Sequence, residues 1–284
     1  MSGQEAPRLK IETSRLTLGF GAQIVQRDVT LRIRQGSIFA LMGSSGCGKS
    51  TVLKGLFGLL RPSAGTVLVD DESYWEADEA RRIAINRRFG VLFQSSALWS
   101  SLTVAENVAL PLKLFTRLRA AAIADLVRFK LALVGMEAAA DRMPSELSGG
   151  MRKRAGIARA LALDPEVLFF DEPSAGLDPI TSRRLDDLIL ELREGLGTTI
   201  VLVSHELPSL FAIADDGAFL DTETRTVIAT GAPSALRDHC AHPTVQAFMR
   251  RERIAPQGQG PARPAPQEQA PARPAPDGRA PDGS

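Results

Sequence analysis

A chain of 284 residues has room for one large domain or two modest ones, and with 44% apolar and 24% charged residues it reads as an ordinary globular protein. Its 34 Lys and Arg offset 33 Asp and Glu, which excludes the broad basic excess of a general nucleic-acid binder. Cys47 and Cys240 form no C-x-x-C pair, so neither a disulfide framework nor a zinc site is expected and a reducing compartment fits.

The opening MSGQEAPRLK lacks the apolar core of a signal peptide, and no run reaches ~18 apolar residues. Any membrane role is therefore expected to pass through a partner. Arg8 to Thr17 and Val29 to Ile33 read as strands, the second ended by Gln35-Gly36. Ser37 to Met42 is a short apolar run, the pattern of a buried strand. A glycine-rich loop follows, then a helix from about Lys49 to Leu60, stopped by Arg61-Pro62. Thr66 to Asp70 is another strand, and Tyr74 and Trp75 in the loop after it read as packing residues.

From about Gln94 to Leu163 the chain turns Ala/Leu/Arg-rich, with Leu118, Ile123, Leu126, Val127 and Leu131 at helical spacing. We read residues 95–163 as a helical insertion. Val167 to Asp171 and Thr198 to Val203 are buried strands flanking a helix over Ile180 to Leu192, and Gly217 to Thr230 reads as a hairpin. Strands alternating with helices predict a largely parallel sheet covered on both faces. One domain is expected over residues 8–245, and a short C-terminal helix over 246–255, with Val245 to Met249 as an amphipathic turn. Residues 256–284, where PARPAP occurs twice, hold too little apolar surface to offset the entropy of ordering and are expected to be disordered. His239, Cys240 and His242 lack a fourth partner, so no metal is assigned there.

The chemistry gathers in three motifs. Gly43-Ser44-Ser45-Gly46-Cys47-Gly48-Lys49-Ser50 matches G-x-x-x-x-G-K-[ST] between a strand and a helix, the context of a phosphate-binding loop. Its glycines let successive N–H groups face one anion. Lys49 would charge-pair the β- and γ-phosphates, Ser50 would offer a hydroxyl to Mg²⁺, and Thr51 can reach a phosphate. Cys47 reads as a small tolerated side chain. The run Val167 to Asp171 buries a strand whose C-terminal edge carries Asp171, to hold Mg²⁺, and then Glu172, to activate water. Leu147-Ser148-Gly149-Gly150-Met151, followed by Arg152, Lys153 and Arg154, opens a helix on an anion-binding N-terminus.

Taken together these motifs resemble those of the ABC ATPases, the third being similar to their signature sequence. The rest of the chain continues the resemblance over roughly residues 9–235. Gln94 ends the segment Phe89 to Gln94, Ser174 to Asp178 is similar to the loop after the catalytic glutamate, and His205 follows a late strand. Phe20 stands where an aromatic residue stacks on adenine. The resemblance implies an α/β fold, a P-loop NTPase with a RecA-like core, an N-terminal antiparallel β portion and an inserted α-helical subdomain. It also implies a head-to-tail homodimer in which each ATP lies between one chain's P-loop and the other's Leu147–Met151 segment. Glu172, His205, Lys49 and Gln94 would then be catalytic, with Ser50, Gln94 and Asp171 around Mg²⁺. The implied partner is an integral-membrane permease, which would hold the chain on the cytoplasmic face of the inner membrane, and no nucleic acid is expected. DNA-repair relatives carry a long coiled coil between P-loop and signature, whereas about a hundred residues without heptads separate Ser50 from Leu147 here.

Met151 stands where the family most often has Gln. With Phe93-Gln-Ser-Ser-Ala-Leu98, Asn107-Val-Ala-Leu-Pro111 and Leu177-Asp-Pro-Ile180, it makes the chain resemble the ATPases of Mla-type phospholipid transport systems. That resemblance implies MCE-domain and STAS-type companions. The alternative cargo is a polar amino acid or another small solute, imported with the same ATPase motifs.

Overall fold

The computed structural model describes residues 8–251. Strands β1 (Leu9–Phe20) and β2 (Gln23–Arg34) form a long antiparallel hairpin, and β3 (Ile38–Met42) then enters the interior. Helix α1 (Lys49–Leu56) leaves the glycine-rich loop. Strands β4 (Ala64–Val69) and β5 (Glu72–Ser73) extend the hairpin into a second, small sheet, and α2 (Glu79–Asn86) and β6 (Phe89–Leu92) lead back to the centre. The helical segment contains α3 (Val104–Phe115), α4 (Ala120–Leu133) and α5 (Gly149–Ala160). After it come β7 (Val167–Asp171), α6 (Pro179–Leu196), β8 (Thr199–Val203), α7 (Leu207–Ile213), β9 (Asp216–Leu220), β10 (Val227–Thr230), α8 (Pro233–His239) and α9 (Pro243–Arg250).

The small sheet is antiparallel in the order β2-β1-β4-β5, and the large one runs β10-β9-β3-β8-β7-β6, parallel except for the edge strand β10. β3, β7 and β8 are buried at every position, as a sheet covered on both faces requires. Their side chains divide with the period of two that the pleat imposes. Ala40, Met42, Phe170 and Leu202 join the core under the helices, and Phe39, Leu41, Phe169 and Val201 join the core shared with α1 and the small sheet.

Several boundaries differ from expectation. α1 stops at Leu56, not Leu60, because Gly58 turns left-handed (φ 83°) beneath the Tyr74 ring, where any Cβ would collide. α2 had no apolar period to announce it and is started by Asp78, whose side chain accepts the Arg81 N–H at 2.7 Å. α6 runs on to Leu196, where Gly197 in the left-handed conformation ends it. The last helix begins at Pro243 and closes at Arg250, with Arg251 at φ 56°, so part of the expected 246–255 helix and all of the 256–284 tail lie outside the described residues. Among the described residues no helix is long and apolar enough to cross a membrane.

At the amino edge of the large sheet a network of charges ties both sheets together. Buried Lys10 of β1 contacts Asp70 at 2.8 Å and also reaches Glu166, and Arg88 forks onto Glu166 at 2.9 and 2.7 Å. The Arg88 guanidinium first, and Lys10 second, hold the Glu166 carboxyl at about 2, below its ordinary 4.5. A depressed folded pKa contributes stability that is complete above pH 4.5 and is lost as the pH falls toward 2. The carboxylate is 49% exposed, so water screens much of the effect. Glu166→Gln is expected to lower the melting temperature at pH 7 and to flatten its decline between pH 4.5 and 2. Circular-dichroism melts across that range check this; identical acid slopes for the two proteins would refute it.

Candidate functional site

The site is built where β3, β8 and β7 end side by side. β3 runs into Gly43, whose φ of 138° and closeness to the Leu220 carbonyl admit only glycine. The loop curls through Gly46 (φ 80°) and Gly48 (φ 99°) into α1, whose first turn has no side-chain cap, leaving its N–H groups free for an anion. The Lys49 ammonium lies within this curl, donating to the Gly43 and Ser44 carbonyls at 2.9 and 2.8 Å. Ser44 bonds Thr222 at 2.8 Å, and the Cys47 side chain is buried beneath the loop, where burial raises its pKa, so Cys47 offers only backbone to a ligand.

Asp171 ends β7 and accepts the Ser50 hydroxyl at 2.7 Å. Glu172, next in the chain, is held at φ 50°, a strained conformation of the kind that collects at functional positions. Its two carboxylate oxygens meet two other predicted residues: Gln94 Nε2 donates to Oε2 at 3.3 Å, and His205 Nδ1 lies 3.1 Å from Oε1. Phe20, 56% exposed at the end of β1, stands at the rim. One cavity of about 820 Å³ is lined by Phe20, Gly43, Ser45, Gly46, Gly48, Lys49, Ser50, Thr51, Gln94, Glu172 and His205.

The third motif lies elsewhere. Ser148 caps α5, its hydroxyl accepting the Met151 N–H at 3.3 Å, and together with Gly150 it lines a different cavity beside Leu177. Gly149 opens the same helix between them. The fold of one chain thus assembles the P-loop with Gln94, Asp171, Glu172 and His205, and keeps Ser148, Gly149 and Gly150 apart from them.

Fold and site define a P-loop nucleotide-binding protein. Residues 26–175 match the family described as ABC transporter. The chain is 39% identical over 250 residues to the "Probable ribonucleotide transport ATP-binding protein mkl" of Mycobacterium tuberculosis (strain ATCC 25618 / H37Rv), covering 88% of this chain and 69% of that one. It is 41% identical over 229 residues to the "Intermembrane phospholipid transport system ATP-binding protein MlaF" of Escherichia coli K12, covering 81% and 84%. The dimeric, ADP- and Pi-bound ATP-binding cassette MJ0796 superposes with a TM-score of 0.70 at 30% identity, covering 78% of this chain and 97% of that one. The chain belongs to the ABC transporter family and is an ATP-binding, ATP-hydrolysing member of it.

The sequence reading gave no role to Arg159 on α5 or Gln26 on β2, and named Lys153 only as part of the basic run that follows Met151. Gln26 is fully buried beneath the P-loop, and its Nε2 donates to the Cys47 carbonyl at 2.6 Å and the Asp221 carbonyl at 3.0 Å. In a trans peptide the C=O and the following N–H point opposite ways. Holding the Cys47 carbonyl from below therefore turns the Gly48 N–H up, toward the mouth of the loop. Gln26→Met would keep the volume and leave two buried carbonyls without this donor, a loss of about 1–3 kcal/mol. We expect about tenfold weaker ATP binding with an unchanged circular-dichroism spectrum, measured by titration calorimetry; wild-type affinity would rule the role out.

Proposed function

We propose that this chain is the ATPase subunit of a phospholipid transport complex of the Mla type. It works as a head-to-tail homodimer under a separate integral-membrane permease, peripheral to the cytoplasmic face of the inner membrane, with MCE-domain and STAS-type subunits as companions. The observation that carries the reading is the division of the site within one chain: Lys49, Glu172 and His205 share one cavity and Ser148 lines another. A second copy facing the first supplies the missing half, so ATP joins the two.

In this reading Phe20 stacks on adenine, and the N–H groups of Gly43 to Thr51 with Lys49 receive the phosphates. Mg²⁺ takes oxygen ligands, and the Ser50 hydroxyl and Asp171 carboxylate, 2.7 Å apart, form a donor set that fits it, with the Gln94 amide oxygen as a third. Bound there, Mg²⁺ neutralises charge on the phosphates. Glu172 takes a proton from the attacking water, positioned by Gln94 and by His205, which also reaches the γ-phosphate. Loss of the γ-phosphate removes the bridge to the partner's Ser148, and the dimer loosens.

The relatives' names differ on cargo. Phospholipid is favoured by the MlaF match over 84% of that protein and by Met151 with Leu177-Asp178-Pro179-Ile180. Import of a polar amino acid or another small solute is the alternative, and the mkl name points to ribonucleotide transport. An apolar groove beside the Gln94 loop, walled by Phe89, Trp99, Pro111 and Phe115, supports docking of a permease helix.

Glu172→Gln is expected to bind ATP and trap the dimer while hydrolysis falls roughly 10²- to 10⁴-fold, read by size exclusion and phosphate release; normal turnover would remove Glu172 as the base. Ser148→Arg should abolish ATP-driven dimerisation and leave ATP binding to the monomer intact. Purification of the tagged chain from native membranes in mild detergent should bring a permease and an MCE-domain protein. A permease with a periplasmic solute-binding protein would replace lipid with solute.

A further inference from the structure

Lys153 lies on α5, the helix that Ser148 caps, and is only 5% exposed. Its ammonium donates to the main-chain carbonyls of Gln94 at 2.6 Å and Glu172 at 2.9 Å. Burial pushes its pKa down, while the charges of Glu172 and Asp171 pull it back up. A buried ammonium satisfied by main-chain carbonyls fixes backbone, and these two carbonyls belong to the residues that face the attacking water. Glu172 is gripped on both sides, since its N–H donates to the Val203 carbonyl at 3.0 Å and its C=O receives Lys153. That grip holds the left-handed φ of 50° that aims its carboxylate.

The same helix holds the Gln94 loop again about one and two-thirds turns later. Arg159 donates to the carbonyls of Ser96 at 2.9 Å and Ala97 at 2.6 Å, and both residues have positive φ (62° and 46°). Gly156 lets α5 lie directly against Leu92 of β6. α5 is therefore one rod whose first turn carries Ser148 and whose middle, roughly 8 Å further along, carries Lys153.

We propose that Lys153 is a positioning residue that couples the two nucleotide sites of the dimer. The inference rests on the composite-site reading above. The first turn of α5 serves the ATP on the partner's P-loop, and Lys153 serves Gln94 and Glu172 beside the ATP on its own. A shift of the rod as one site closes moves the carbonyls that set the other, so each site biases its neighbour.

Mixed dimers of the full-length chain test this. A dimer with Lys49→Ala in one chain keeps one working site. In the first arm Lys153→Met sits in the Lys49→Ala chain, which on the composite-site reading meets the surviving site through its Leu147–Met151 segment. In the second arm it sits in the other chain, whose Gln94 and Glu172 do the work. Coupling predicts a kcat loss in both arms, about tenfold or more in the second and about threefold or more in the first, with KM for ATP little changed. Lys153→Arg, which keeps a buried cation able to reach two carbonyls, should restore both. Loss in the second arm alone would overturn the coupling, and loss in neither would overturn the positioning role. Loss in both with a fallen melting temperature and no rescue by Arg would make Lys153 merely structural. Ser148→Arg in the Lys49→Ala chain separates the premises: if the surviving site ignores it, the composite site is wrong whatever Lys153 does.

Discussion

The hydrogen bond from Ser50 to Asp171, 2.7 Å long and spanning 121 residues of sequence, is the point on which the rest depends. It exists because β3 and β7 both lie beside β8 in one parallel sheet and end at the same edge. Parallel strands point all their carboxyl ends one way, so loops far apart in sequence converge there. The helical segment between β6 and β7 and the β10 edge can vary in shape as long as that convergence holds. The small antiparallel sheet matters to the site by delivering Phe20 to the rim and Gln26 to the underside of the loop.

The motifs legible in the sequence are those whose chemistry is local. The loop from Gly43 to Ser50 needs its residue types within one turn of chain, and Asp171 with Glu172 needs only the apolar run before it. Gln26, Lys153 and Arg159 work by donating to main-chain carbonyls, and a carbonyl leaves no mark on sequence. Phase alone held a signal. Gly150, Lys153 and Ile157 fall on one buried face of α5, so a cation at that spacing was due to be inside. For Gln26 the phase misleads. Asp28 at φ 52° shifts the register, and counting by two from Val29 arrives at Arg27, which is exposed. The end of α1 was unreadable for a similar reason, because Gly58 turns under Tyr74, a residue supplied by a different element.

The site holds strained backbone at Glu172, and at Ser96 and Ala97 after Gln94, with rigid contacts around it. Glu172 stands in a conformation that costs of order 1–3 kcal/mol for a residue with a Cβ. The Val203 carbonyl holds its N–H at 3.0 Å, and Lys153, at 2.9 Å, with the Ala175 N–H, at 3.3 Å, holds its carbonyl. The carboxylate needs this aim more than it needs depth: it remains partly open to the cavity, where water can reach it.

The cavity gathers the polar groups of the P-loop with Gln94, Glu172 and His205, whereas the groove near Trp99 is lined mainly by apolar side chains. The contacts lay out one path from the cavity to that groove: Gln94 opens the loop that ends at Trp99, and Asn107 ties that loop to α3 by accepting the Trp99 N–H at 2.8 Å and donating to the Leu102 carbonyl at 3.1 Å. Lys153 and Arg159 of α5 bind the carbonyls of Gln94, Ser96 and Ala97, so that loop is tied to the helix as well. On the reading proposed above, that one path serves whatever cargo the permease carries.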